Sequence, residues 1–371
     1  MKNKTVNEQM DRNRGGCALL TRRRPPWVRE FFAEFFGTFF IVCIGDGAIA
    51  NYVLNKNNKT GVDHFAVCFS FGVGVLIGVS IASKISGAHL NPAVTVALAS
   101  MGKFKCRKIP HYLLGQYFGS FMAAFAIFCA YYEGIDAYDE GIRTAYNGTA
   151  ATGGIFSTYP AQHISVPGTL IDQILATFLL MFAVMAITDP KGIATPKHME
   201  PTVLALVITG ICVAFGLNCG AVLNPARDLG PRLFQALAGY GFDAFKPLNW
   251  QYWLSAGIIG PHIGAIIGGW TYDLAISDKT YLTDEEEEQL RDRKVADQVE
   301  HKMSPIYMGS DVMNDSANYR AGVANDTARP LMSNSVTNYI EDEGLEIDQN
   351  PSANCGTDTS DPYNPRNKLP D

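Results

Sequence analysis

Six blocks of the chain, at about 30–52, 64–83, 110–131, 169–188, 200–217 and 251–274, are long and apolar enough to cross a bilayer. A span needs about 20 mainly apolar residues when wound as a helix. In hydrocarbon every backbone N–H and C=O must be paired internally, which restricts such blocks to helices. Two further stretches, 92–101 and 225–238, are apolar or amphipathic but only half as long. Both begin with the same tripeptide. Asn91-Pro92-Ala93 lies in "SGAHLNPAVTVAL", and Asn224-Pro225-Ala226 lies in "NCGAVLNPARDLGPRLF". The chain reads as three spans with one half-span, twice over.

Charge gives the orientation. Residues 1–27 form a basic head that includes Arg22-Arg23-Arg24, and the segment from Lys84 to Lys108 carries Lys84, Lys103, Lys105, Arg107 and Lys108. The 131–168 connection carries Arg143 against Glu133, Asp136, Asp139 and Glu140. Lys and Arg in short connections mark the cytoplasmic side, so the head, the 84–109 connection and the tail are expected there. The half-spans then enter from opposite sides. The expected fold class is an all-α membrane protein with six transmembrane helices and two re-entrant half-helices in an inverted repeat, about 28–131 and 168–275. The channel domain covers 28–275. Residues 276–371 form a tail with 20 Asp/Glu against 9 Lys/Arg, in a chain whose net charge is −6. That acidic, weakly hydrophobic composition predicts a mostly disordered segment.

The two halves carry a weak internal similarity. "EFFGTFF" at 34–40 aligns with "QILATFL" at 173–179, pairing Glu34 with Gln173 and Thr38 with Thr177. Small residues recur every fourth position at Gly74 and Gly78, Gly115 and Gly119, and Gly260, Gly264 and Gly268. Such rows let helices approach closely in lipid. The first apolar run starts near Phe31 and continues at full span length, so no secretory leader is expected. The cysteines are scattered singly, without metal spacing or a disulfide framework. No nucleophile–base pair, metal cluster or phosphate loop is legible. The expectation is a protein that is not an enzyme and has no cofactor, metal or nucleic-acid partner.

Inverted halves with interrupted helices place half-helix N-termini near the bilayer midplane. Proline suits the first helical turn and asparagine caps it. Each N-terminus carries about +0.5 of an elementary charge. Two of them meeting form a positive focus that repels protons and cations, while Asn91 and Asn224 donate to a passing oxygen. Non-helical backbone at that depth is tolerated where it lines a wet cavity. Permeation of neutral, oxygen-bearing molecules fits this arrangement.

The pair "SGAHLNPAVT" and "LNPARDLGPR", on six spans, resembles the aquaporin (major intrinsic protein) family over about residues 28–275. Asp228 directly after Arg227 resembles the aquaglyceroporin, glycerol-conducting branch. The resemblance implies a passive channel for glycerol and water, with urea or other small neutral solutes a further expectation. It also implies a homotetramer, with the plasma membrane as the expected location. It implies an outer constriction of Phe71, Cys212, Ala221 and Arg227. Water-selective relatives typically hold a His where Cys212 stands, so this filter is expected to be wider and greasier. Arg227 supplies donors to hydroxyls and a charge against cations. A thiol-bound metal at Cys212, or at Cys219 two residues before Ala221, is expected to obstruct the pore. Glu34 matches a buried glutamate that braces the first re-entrant loop, Gln173 fills the equivalent place, and Asp228 is expected to hold the second loop. His89 is expected to pack at the first half-helix entrance. His262, beside Pro261, has no assigned role, and Gly257 departs from a proline usual in the glycerol branch.

Asn147 and Asn58 are the glycosylation candidates, in connections predicted to face outside. Sequons at Asn3, Asn314 and Asn325 fall on the cytoplasmic side and should stay unused. Two alternatives stay open at the level of sequence: a water-selective channel with little glycerol flux, and a non-conducting adhesive membrane protein of the same fold. A coupled transporter is disfavoured because Glu34 is the one acid expected deep in the spans. An ion channel is disfavoured by two opposed positive helix ends.

Overall fold

In lipid, helices form wherever the chain is apolar for long enough, and proline and polar caps decide where they start. The computed structural model describes residues 24–55, 61–192 and 195–277. These lie within Met1–Asp284, the first of two units into which the chain divides, the second being Glu285–Asp371. Most of the basic head, the acidic tail, Asn58, and the sequons at Asn3, Asn314 and Asn325 lie outside the described residues.

The elements follow in order as α1 Pro26–Leu54, α2 His64–Ser86, the half-helix α3 Pro92–Ser100, α4 Ile109–Asp139, α5 Val166–Thr188, α6 Glu200–Cys219 and the half-helix α7 Pro225–Leu237. The last span is composite: a single turn at Tyr252–Leu254, a π turn at Ser255–Ile259, then α8 Gly260–Ala275. Proline occupies the first turn of α1, α3, α4, α5, α6, α7 and α8, where a missing N–H costs nothing. Five uninterrupted helices among the described residues are long and apolar enough to cross a membrane. The sixth span matches the expected 251–274 but is broken by its π turn. Pro261 has no N–H to give and starts a new helical register, and the wide turn before it absorbs the mismatch.

α4 runs eight residues past the expected end at residue 131, to Asp139. The connection to α5 therefore starts at Glu140. Polar bonds hold the extension: buried Asp139 takes Arg143 Nη1 at 2.6 Å and Thr152 Oγ1 at 3.0 Å. Part burial lowers the pKa of Arg143, but the Asp136 hydrogen bond and the Asp139 charge outweigh it and raise the value, so the clamp stays charged.

Packing follows the repeat. α1 lies between α2 and α4, and α5 lies between α6 and α8. Small residues set these crossings. A Cβ on Gly115 would sit 2.7 Å from Phe31 O, and one on Gly264 would collide with Ile174 O. The two contacts are equivalent, one in each half. Exposed Phe32, Phe36, Leu114, Phe118, Ile171 and Leu175 face outward, as a lipid-facing surface requires.

Candidate functional site

Each re-entrant loop has the same local plan, Gly-Ala-x-Leu-Asn-Pro-Ala. In the first, Gly87, Ala88 and Leu90 have φ of 83°, 53° and 52°; in the second, Gly220, Ala221 and Leu223 have 68°, 49° and 55°. Left-handed backbone at Ala and Leu costs on the order of 1–3 kcal/mol per residue and persists only where surroundings enforce it. Here the enforcement is visible. Glu34, fully buried in α1, accepts from His89 N at 3.0 Å and Leu90 N at 2.7 Å. The same carboxylate accepts from Ser86 Oγ at 2.5 Å and Gln116 Nε2 at 2.7 Å. In the second half, buried Gln173 of α5 accepts from Leu223 N at 3.1 Å and donates to Asp172 Oδ2 at 2.7 Å.

The half-helices meet through their caps. Asn91 Oδ1 accepts from Ala93 N at 2.8 Å, and Asn224 Oδ1 accepts from Ala226 N at 3.0 Å. Each carboxamide also crosses to the other loop: Asn91 Nδ2 donates to Leu223 O at 3.0 Å, and Asn224 Nδ2 to Leu90 O at 2.7 Å. Pro92 and Pro225 begin the half-helices, and Ala93 and Ala226 are fully buried behind them. Two positive helix ends are thus brought together by reciprocal bonds. Chain order puts them on entry from opposite ends: α3 follows α2 at the end where α1 begins, and α7 follows α6 at the end where α5 begins.

On the side of α7, Arg227 is 5% exposed and its guanidinium carbon lies 4.9 Å from the Phe71 ring centroid. Its Nη1 donates to Phe156 O at 2.9 Å. Cys212 and Ala221 are 8% and 7% exposed and share one apolar cluster with Cys68, Ala176, Leu180, Ile211 and Leu223. Phe71 and Arg227 are therefore in direct contact, and Ala221 belongs to the loop that carries Arg227. Cys219 is fully buried elsewhere, among Val222, Tyr252 and Ala256, because its turn packs toward the last span. A role for Cys219 beside the filter is corrected on that ground.

Asp228 braces the second loop. Its Oδ1 accepts from Thr158 N at 2.9 Å, Thr158 Oγ1 at 2.6 Å and Arg232 Nη2 at 2.9 Å, and Oδ2 accepts from Arg232 Nε at 3.0 Å. Arg232 is fully buried and also donates to Ala244 O and Thr158 O, each at 2.5 Å. Sequence reasoning missed Arg232, although its spacing of four from Asp228 on a helix was a usable signal. Gly257 fits here. A Cβ on it would stand 3.0 Å from Asp228 Oδ2, so the π turn lies against the carboxylate. His89 packs edge-on against Phe104 at 4.6 Å and lies 5.0 Å from Tyr112, with Nδ1 3.2 Å from Thr95 Oγ1. His262 Nδ1 is 2.8 Å from Ile258 O, a local bond at the edge of the π turn. Asn147 is exposed, in a left-handed turn.

Further acids lie buried within the spans, contrary to the expectation of Glu34 alone, among them Asp172 of α5, which accepts from Gln173 and Asn218, and Asp46. Asp46 in α1 is fully buried, and its Oδ1 lies 3.4 Å from Arg227 Nη2. Within the apolar run around "CIGDGAIA" one carboxylate is averaged away by any hydropathy window, so its position was barely legible from composition.

Comparison with known proteins agrees with this geometry. The family description "Major intrinsic protein" matches residues 21–272. Aquaporin-9 of Homo sapiens is 38% identical over 268 residues, covering 71% of this chain and 89% of the relative. Aquaglyceroporin-2 of Rhizophagus irregularis is 38% identical over 256 residues, covering 68% and 79%. The X-ray structure of the aquaglyceroporin from Plasmodium falciparum superposes with a TM-score of 0.59 at 31% identity, covering 67% of this chain and 97% of that one. With two capped half-helices meeting between inverted halves, and relatives that cover most of the helical region, the chain belongs to the major intrinsic protein family.

Proposed function

We propose that the protein is a passive transmembrane channel for glycerol and water that excludes protons and ions, with urea and other small neutral solutes within its range. The observation that carries this reading is the reciprocal bonding of Asn91 and Asn224 across the two half-helix ends. Each carboxamide has two N–H groups. One is committed to the opposite loop, and the other is free to meet an oxygen in transit. The paired helix ends, about +0.5 of an elementary charge each, stand against protons and cations at the same depth.

Phe71, Cys212, Ala221 and Arg227 form the filter in this reading. Arg227 and the loop carbonyls serve hydroxyls on one side, while Phe71 and Cys212 give carbon a smooth wall on the other. The chain is an integral membrane protein. Our reading places it in the plasma membrane as a homotetramer, with both termini cytoplasmic and a glycan on Asn147. Residues 1–27 and 276–371 are cytoplasmic segments flanking the 28–275 channel domain.

Stopped-flow light scattering on proteoliposomes tests this reading. An outward glycerol gradient should collapse many times faster than in empty vesicles, without saturation or dependence on an ion gradient. Flux coupled to an ion gradient, or no flux at all, would overturn the proposal.

A further inference from the structure

Asp46 sits in the last third of α1 with 0% exposure, and neither of its oxygens accepts a hydrogen bond. A buried carboxylate without donors is one of the costliest groups a protein can hold, and it persists where a charge compensates it. The compensating charge here is Arg227, whose Nη2 lies 3.4 Å from Asp46 Oδ1. The neighbouring residue makes the approach possible: any Cβ on Gly45 would collide with the Phe71 ring. Phe71 therefore packs directly against α1, with Arg227 over its ring at 4.9 Å. One end of the guanidinium is held by Phe156 O at 2.9 Å and the other faces Asp46.

We propose that Asp46 is a positioning and specificity-determining residue that acts through Arg227. It cancels the arginine's charge in the filter and draws one end of the guanidinium away from the solute path. A lone guanidinium in a low-dielectric constriction repels cations and attracts anions. Paired with Asp46 it keeps its fixed donors for hydroxyls but no longer presents a net charge. The positive focus against cations then rests on the two half-helix ends, and small anions gain no attraction at the mouth. The filter is thereby suited to neutral polyols over anions of similar size.

This proposal rests on the channel reading, and the experiment separates the two. The full-length protein and its Asp46→Asn, Arg227→Gln and double variants are reconstituted in proteoliposomes. Water, glycerol and nitrate permeabilities are measured with the membrane potential clamped. Asparagine keeps the shape of Asp46 and removes its charge. The nitrate-to-glycerol ratio should rise at least tenfold in Asp46→Asn, while water permeability stays within about twofold. The rise should vanish when Arg227→Gln is also present, because Asp46 acts through that charge. An unchanged ratio in Asp46→Asn, or an equal rise in the Arg227→Gln background, overturns the proposal.

Melting temperatures of the same four chains in detergent probe the pair independently of transport. Each single variant should lose roughly 5 °C or more, and the double variant should recover part of that loss. Strictly additive losses overturn the pairing, even where a variant does not insert well enough for flux. Absence of glycerol flux in the parent with non-additive melting would instead fault the channel reading and leave the pair standing.

Discussion

Glu34 is the residue on which the first re-entrant loop most depends, and its substitution gives a graded prediction. The carboxylate gathers four donors: Ser86 Oγ, His89 N, Leu90 N and Gln116 Nε2. Leaving a buried donor unsatisfied costs about 1–3 kcal/mol. Glu34→Ala strands His89 N, Leu90 N and one N–H of Gln116, while Ser86 Oγ keeps Ala82 O at 3.4 Å, a loss of roughly 3–9 kcal/mol, a large part of the stability of a typical domain. It also removes the brace that keeps Ala88 and Leu90 in left-handed backbone. Glu34→Gln is milder. One amide oxygen still serves Ser86 and His89, and Gln116 can flip, since its own Oε1 has no partner. The Leu90 N–H then meets another donor, and the flip gives up the Gln116 Nε2 bond to Thr95 Oγ1, together about 2–6 kcal/mol. At about 2–4 °C per kcal/mol for a domain of this size, the middle of that range lowers the melting temperature in detergent by roughly 8–16 °C. Glycerol flux per inserted channel should fall with it, because the shifted Leu90 carbonyl is the acceptor for Asn224 Nδ2. Glu34→Ala should not accumulate as a folded protein. A Glu34→Ala variant that melts and conducts like the parent would show that the loop is held by something else.

Other perturbations probe the filter, the second loop and the tail. Mercury should block flux through Cys212, and Cys212→Ser alone should abolish that block, whereas Cys219→Ser should not, because Cys219 is fully buried among Val222, Tyr252 and Ala256; equal block in parent and Cys212→Ser refutes the placement. Arg232→Met removes the charge that pairs with the buried Asp228 carboxylate and should cost about 3–5 kcal/mol, seen as loss of folded protein in membrane extracts. Gly257→Ala puts a methyl 3.0 Å from Asp228 Oδ2 and should cost about 1–3 kcal/mol in melting experiments, with the glycerol-to-water ratio unchanged. Truncation after residue 278 should leave the permeability of each reconstituted channel intact.

The helical plan was legible because lipid leaves so few choices. The spans from Pro26, His64, Val166 and Glu200, and both half-helices, fall within a few residues of where hydropathy, proline and asparagine put them. The paired Asn-Pro-Ala ends were legible because each opens a stretch too short to span, and the repeat of three spans places the two on opposite sides. What hydropathy could not carry were single polar groups inside apolar runs and bonds between distant segments. Asp46 lies in a glycine-rich stretch whose average remains apolar. The extension of α4 to Asp139 depends on Arg143 and Thr152, which are brought back only by the folded connection between α4 and α5. The π turn at Ser255–Ile259 arises from Pro261 and from packing against Asp228, and no periodicity reports such a turn.

In our reading the filter passes glycerol because a small side chain, Cys212, clustered with Ala221, stands opposite the stacked Phe71 and Arg227. What decides this is paired glycerol and water permeability for the parent and Cys212→His in the same vesicle preparation, normalised to protein, with an internal pH dye reporting protons. An imidazole there fills the narrowest section and puts a polar edge where glycerol's carbons slide, while water, smaller and without a carbon face, loses much less. Arg227 and the Asn91–Asn224 crossing are untouched, so proton exclusion persists. The glycerol-to-water ratio should drop by about tenfold or more, on the order of 1.4 kcal/mol of added barrier. An unchanged ratio in a variant that still conducts water would mean that Cys212 does not set the width of the pore.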